Sequence, residues 1–512
     1  MKRIFTVLTT FFIINFSLSA QYTTTGTDFW LSYMQNFDDP ANTLLYMTSD
    51  VATSGTVTIP GTGWSQAFTI AANGSVMVQV PASENAAIAT TNTALNKAIH
   101  ITSNNDIAVY SANQRTASSD ATLVLATPAL GDSYYVNAYT PFSGQPTQFI
   151  LVGIENNTTI EIVPTAAITG GVGAGVPFNV TLNTGQVYLV QSAGDLTGTT
   201  INATDIGACH NFAVFAGNRC ARVTSSCDYC DHLYEQMLPL KAWGKEYVTV
   251  PLMTRNGDQY RIMASENGTV ININGGANIN LNAGQFYEVY LIPASFIVGD
   301  KPISVAQYSR GTSCDGVTSD PFMIMLSPVE QTLDYIVFQA FNTTAINQFY
   351  TNIVSQTAYT SQVQLDGAAL TGWTTVPSNP TYSYTRKNIA QGTHVITSGE
   401  GTLASVYGFG DVESYGYLAG ANIEPINIDF NIVVGNDSIS YDVYQDTLNC
   451  EESANEVEFF TDGEGVSGVH FDFGDGNTAV GNSVFHIYEN PGTYTVTMYF
   501  TRDISCIEES LE

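Results

Sequence analysis

Four stretches of this chain are versions of a single strand, and their spacing constrains the fold more than any other feature. They are Ile107-Ala-Val-Tyr-Ser-Ala-Asn-Gln-Arg115, Phe212-Ala-Val-Phe-Ala-Gly-Asn-Arg219, Ile303-Ser-Val-Ala-Gln-Tyr-Ser-Arg310 and Leu403-Ala-Ser-Val-Tyr-Gly-Phe-Gly410. Their starts, at 107, 212, 303 and 403, are 105, 91 and 100 residues apart. A turn precedes each strand: Ala72-Asn-Gly-Ser75, Asn183-Thr-Gly-Gln186, Asn282-Ala-Gly-Gln285 and Ala390-Gln-Gly-Thr393. A tail strand follows, as Leu130-Gly-Asp-Ser-Tyr-Tyr-Val136, Trp243-Gly-Lys-Glu-Tyr-Val-Thr-Val-Pro251, Leu333-Asp-Tyr-Ile-Val337 and Ser414-Tyr-Gly-Tyr-Leu418. An extra copy of the tail, Gly26-Thr-Asp-Phe-Trp-Leu-Ser-Tyr-Met34, stands ahead of them all. Markers recurring in one order signal internal repetition. They divide the chain into units at 44–139, 149–252, 260–341 and 349–420.

Short runs of β-branched and aromatic residues bounded by Gly, Asn or Pro are the signature of strands. Amphipathic helices at 3.6 spacing are missing. The best candidate, Ala86 to Ile99, is rich in Thr and Asn and reads as a loop with one helical turn. The fold class is therefore all-β. About seven strands in roughly 100 residues suit a sandwich better than a four-stranded propeller blade. The expectation is four sequential β-sandwich-like pseudo-repeats. A closed propeller-like ring is the alternative, suggested by the extra tail strand, which hints that strands pass between units.

The chain opens with Met-Lys-Arg, an apolar run from Ile4 to Leu18 and the small residues Ser-Leu-Ser-Ala20, the form of a secretory signal peptide spanning 1–20 with cleavage between Ala20 and Gln21. The run is too short for a membrane span, and no later stretch is apolar enough, so no integral membrane segment is expected after cleavage. With 15 Lys+Arg against 46 Asp+Glu, the formal charge is −31. Nucleic-acid affinity depends on cationic neutralisation of phosphates, so such a partner is excluded, and docking on anionic lipid is disfavoured for the same reason. Solubility accounts for the acidity, with divalent-cation binding the sharper alternative.

Residues 426–440 read as a linker, and 441–512 as a separate domain whose last strand would be expected to start where the sequence stops. Phe471-Asp-Phe-Gly-Asp-Gly476, His486-Ile-Tyr488 and Pro491-Gly-Thr-Tyr-Thr-Val496 resemble the PKD family, which implies an immunoglobulin-like β-sandwich. Cys450 and Cys506 flank this core at opposite ends, and a sandwich brings its first and last strands close, so a disulfide between them is expected. Asp472 and Asp475 would serve the hairpin turn, with calcium as the alternative ligand; no other cofactor is expected.

Residues 21–425 resemble the IgG Fc-binding protein N-terminal domain family, in its secreted bacterial form. The resemblance rests on Gly26-Thr-Asp-Phe-Trp30, Asp195-Leu-Thr-Gly198, Ala213-Val-Phe-Ala-Gly-Asn218, Cys230-Asp-His-Leu233 with Glu235-Gln236, Trp243-Gly244, Tyr260-Arg261 and Asp320-Pro-Phe-Met323. It implies the domain and not its ligand. Four of the seven cysteines fall between 209 and 230. In an exported chain cysteines usually pair; metal binding by Cys227 and Cys230 with His232 would need further ligands that are not apparent. Cys220 and Cys230 lie on motifs that the resemblance carries, and a bridge between them is expected. Cys209, Cys227 and Cys314 are odd in number, so one of them is free or pairs elsewhere.

His210 and His232 with Asp228, Asp231 and Glu235 assemble on paper into a base-and-carboxylate group, but no activated nucleophile accompanies them, and the repeats offer no acidic pair at matching loops. Arg115, Arg219 and Arg310 end three of the repeated strands; contacts between repeats are the plain reading and ligand contacts the sharper one. The reading is a secreted or cell-surface, non-catalytic binding or adhesion protein of a Bacteroidetes-like bacterium, its partner an extracellular glycan or protein. An extracellular hydrolase with an accessory PKD module and a structural surface component are the alternatives.

Overall fold

The computed structural model describes residues 23–37, 41–204, 210–341, 345–423, 430–434, 437–441, 456–461, 466–488, 497–502 and 508–511. The regular secondary structure of the described residues is almost entirely β, and the large region is built from four units of one topology.

Each unit is organised on the repeated strand, which is longer than its apolar motif and bends between two sheets. In the first unit this strand is Ile99–Arg115. Its first half lies between the lead strand Gly26–Leu31 and Thr53–Ile59. Its second half lies between Asn42–Ser49 and Ser118–Val124. Trp64–Ile70 and Gly74–Val80 complete the two sheets. The sequence accounts for the bend. Ile99 and Ile101 are buried on one face, polar Ser103 to Asp106 mark the turn, and every residue from Ile107 to Asn113 is buried. That second half faces its own sandwich on one side and other units on the other, hence its continuous apolar run. Tyr110 donates its hydroxyl to the carbonyls of Val337 and Ala419 in the fourth unit, and Ser111 meets the Tyr234 hydroxyl in the second.

The bent strands Ser295–Tyr308 and Gly392–Gly410 repeat this arrangement. In the second unit Thr200–Ala203 and Phe212–Ala221 share the role. The tail strands of the sequence pattern thus open units: Gly26–Leu31, Ser133–Tyr135, Gly244–Thr249 and Leu333–Ala340 pair with the bent strand that follows them. This moves the unit boundaries forward by one strand. Ser414 to Leu418 belong instead to a closing strand, Glu413–Gly420. The hint of strands passing between units holds at Ala94–Leu95, which leaves the first unit to pair with Val187 and Tyr188 of the second.

The closing strands Ser118–Val124, Asp231–Gln236, Met323–Met325 and Glu413–Gly420 meet around one axis, each touching the next and the last touching the first. The β-sandwich-like pseudo-repeats are therefore arranged as the closed ring, and their cores merge. One apolar cluster joins Phe29 and Val109 to Phe338 and Tyr417; another joins Tyr247 and Ile262 to Tyr407 and Phe409. Close approach at the axis excludes side chains: a Cβ on Gly416 would lie 2.3 Å from the Phe322 ring.

In the small C-terminal domain, Phe430–Val434 pairs with both Asp437–Tyr441 and Glu456–Thr461. Residues 430–434 and 437–441 are therefore paired strands of this domain's sheet, so much of the span read as a linker is strand. The Val, Ile and Phe of 430–434 are what a sheet strand requires.

Candidate functional site

The ring axis collects carboxylates. Asp120, Asp231 and Asp320 each stand eight residues before a proline, Pro128, Pro239 and Pro328, so they are equivalent positions of three repeats. All three are buried, as are Glu235 and Glu413. Asp120 is the pin of the assembly. Its Oδ2 accepts the backbone N–H of Tyr234 at 3.0 Å and of Met323 at 3.3 Å, and its Oδ1 that of Gly416 at 3.5 Å. One side chain of the first unit thus satisfies backbone donors on the closing strands of the other three. Glu235 accepts the Thr122 hydroxyl and the Met325 N–H. Ser119 donates to Glu413, and Ser414 to the carbonyl of Asp320.

Burial pushes Asp120, Asp231, Asp320 and Glu235 up. Asp120 is held well above the usual carboxylate range by desolvation, against the pull of its four backbone donors. Desolvation and the charge of Asp120 raise Glu235; desolvation and the charge of Asp320 raise Asp231. Asp320 is pushed up to about 8 by burial and then by the neighbouring Glu413. Carboxylates do occupy matching positions in the repeats: Asp120 and Asp231 lie on closing strands and Asp320 just ahead of one, all buried inside the ring and not around a cleft.

Two disulfides sit where these strands begin. Cys220 is bonded to Cys230, closing the hairpin between the bent and closing strands of the second unit. Cys227 is bonded to Cys314 of the third unit, with a Cα–Cα distance of 5.3 Å. Cys209, Cys450 and Cys506 lie outside the described residues, so the bridge expected between Cys450 and Cys506 does too.

The arginines make structural contacts. Arg219 reaches from the second unit to the carbonyls of Asn36 at 3.1 Å and Phe37 at 2.9 Å in the first. Arg310 pairs with Asp315 at 2.6 Å and lies over Tyr290. Arg115 lies 5.8 Å from the centroid of the Phe37 ring. The two histidines have separate partners. His210 meets Glu155, whereas buried His232 donates from Nδ1 to the Asn218 carbonyl and accepts from Asn113. Desolvation lowers His232 to about 4, so it is neutral. In the small domain Asp472 accepts the Gly474 N–H, and Asp475 accepts from Asn477 and His486, the turn role expected of them.

A groove of about 930 Å³ opens along the seam where the fourth unit closes on the first. One wall carries Thr48, Asp50 and Asp106; the other carries Asp334, Tyr335 and Glu400. Tyr335 spans the seam, its hydroxyl 3.5 Å from the Asn73 side chain. Sequence reading missed this site because its walls meet only through ring closure. The axial aspartates did leave a signal, the Asp-to-Pro interval repeated three times.

Comparisons with known proteins match both regions of the chain. The family described as "IgGFc binding protein" matches residues 120–408, and a PKD domain family matches residues 441–510. The human protein named "IgGFc-binding protein" is 24% identical over 337 residues, which is 64% of this chain and 6% of the relative's length. The chain thus spans a small part of that relative. With more than half of its residues matched, this chain belongs to the IgGFc-binding protein family.

Proposed function

We propose that this chain is a secreted or cell-surface, non-catalytic binding or adhesion protein whose partner is an extracellular protein or glycan. Family membership together with a PKD domain is consistent with an extracellular binding protein. Two disulfides suit an oxidising compartment. Among the described residues, no helix is long and apolar enough to cross a membrane.

The observation that carries the reading is the chemistry of the axial carboxylates. A carboxylate pair for hydrolysis must reach substrate and water. Asp120 and Glu235 instead lie buried and accept backbone N–H groups from neighbouring units, so their role is assembly. The seam groove is then the surface offered to a partner. Immunoglobulin Fc, which the human relative's name says it binds, is one protein to try.

The test is to immobilise the secreted full-length protein and probe it with arrays of extracellular glycans and proteins, Fc included. Saturable retention of a ligand that is recovered unaltered supports the reading. Release of cleaved glycan or peptide, or no saturable ligand of either class, contradicts it.

A further inference from the structure

We infer that the seam groove is a binding site for an extended, positively charged polypeptide segment. The inference rests on the reading of the chain as a binding protein and names the chemistry of its ligand.

Three observations carry it. The groove has room for several residues, and its walls belong to units far apart in sequence, so it exists only in the closed ring. Its lining includes Asp50, Asp106, Asp334 and Glu400, all exposed, with no Lys, Arg or His among the lining residues. Glu330 at one end is already engaged, its Oε1 accepting the N–H groups of Lys245 and Glu246. Finally, Thr48 lines the groove with a buried hydroxyl that has no hydrogen-bond partner among the described residues. An unpaired buried polar group costs stability, and a ligand that pairs with it relieves that cost.

The chemistry selects among partners. Carboxylates from both walls create a negative field that attracts Lys and Arg side chains and repels sulfated or sialylated glycans and acidic peptides. Tyr335, 42% exposed, presents an aromatic ring within this field, a surface on which a guanidinium packs. A neutral glycan would favour several exposed aromatic platforms, and Tyr335 is the one aromatic residue in the lining.

The test uses the full secreted chain and a fluorescent hexa-arginine peptide, with a hexa-glutamate peptide and a neutral oligosaccharide as controls. Because the whole chain is acidic, the decisive comparison is between two double variants at exposed positions. Asp50→Asn/Asp334→Asn removes one carboxylate from each wall of the groove, and Asp228→Asn/Asp411→Asn removes equal charge elsewhere. The groove variant is expected to weaken peptide binding about tenfold and the control variant to leave it unchanged. Thr48→Val is expected to weaken binding without lowering the melting temperature, since its hydroxyl has no partner to lose. Equal weakening by both double variants, or displacement of the peptide by the neutral oligosaccharide, overturns the inference. Failure of the array experiment removes the binding reading itself. Array ligands retained undiminished by the groove variant leave that reading standing and place the site elsewhere.

Discussion

Replacing Asp320 with Asn should make the protein more stable at neutral pH. Asp320 is buried, and its carboxyl is raised from 3.8 to about 8 by burial and by Glu413. A carboxyl whose folded pKa is raised contributes stability that is fully present below the unfolded pKa. That contribution is lost as pH rises through the folded value. The window therefore runs from about pH 4 to about pH 8. Within it the unfolded chain is ionised while the folded chain holds the proton. At 1.36 kcal/mol per pKa unit, Asp320 gives up on the order of 4 kcal/mol between pH 3 and pH 7. Asparagine keeps the shape and cannot ionise, so Asp320→Asn should match the parent near pH 4 and exceed it by up to about 4 kcal/mol near pH 7.5. Urea unfolding midpoints measured across pH 4–8 for both proteins check this. The same slope should soften in Glu413→Gln, which removes the neighbouring charge. Parallel pH profiles for the parent and Asp320→Asn would refute the buried, proton-holding axis.

Asp120→Ala should be among the most damaging single changes in the ring. It removes the acceptor for donors on three other strands and should cost at least about 3 kcal/mol, read as a fall in the urea midpoint. Gly416→Ala forces a methyl group against Phe322 and Ile324 and should cost about 1–3 kcal/mol by the same assay. Cys227→Ser/Cys314→Ser opens a cross-link between residues 87 apart. The chain-entropy relation gives about 4–5 kcal/mol for a loop of that size, as an upper figure. Reduction should therefore lower the midpoint of the parent more than that of this variant.

Local chemistry was legible in the sequence, and long-range pairing was not. The apolar runs at 107, 212, 303 and 403 gave the bent strands because a segment buried on both faces must be continuously apolar. The tail motif was recognised, but its unit was not. A strand such as Gly244–Thr249 lies between two bent strands in sequence, and only register decides that it pairs with Ser295–Tyr308. The pairing of Cys220 with Cys230 is short-range and could be anticipated. That of Cys227 with Cys314 depends on ring geometry, which brings two hairpin loops together. Asp231 and Glu235 stand out in the sequence beside His232, but their burial with Asp120 and Asp320 at one axis depends on ring closure, which no local pattern encodes. The seam groove left no local trace, since residues as distant as Asp50 and Asp334 form it.

Ring closure is the claim on which the axial carboxylates and the groove both depend. Thr23 and Asn422 face each other across the seam as antiparallel neighbours, and the Thr24 N–H donates to the Ala421 carbonyl at 3.1 Å. The direct measurement is mild oxidation of a Thr23→Cys/Asn422→Cys variant, followed by peptide mapping of the monomer under non-reducing conditions. A closed ring predicts an intramolecular bridge between positions 23 and 422 in most molecules. A linear run of units holds these positions at opposite ends, so free thiols or bridges only between molecules would contradict the account.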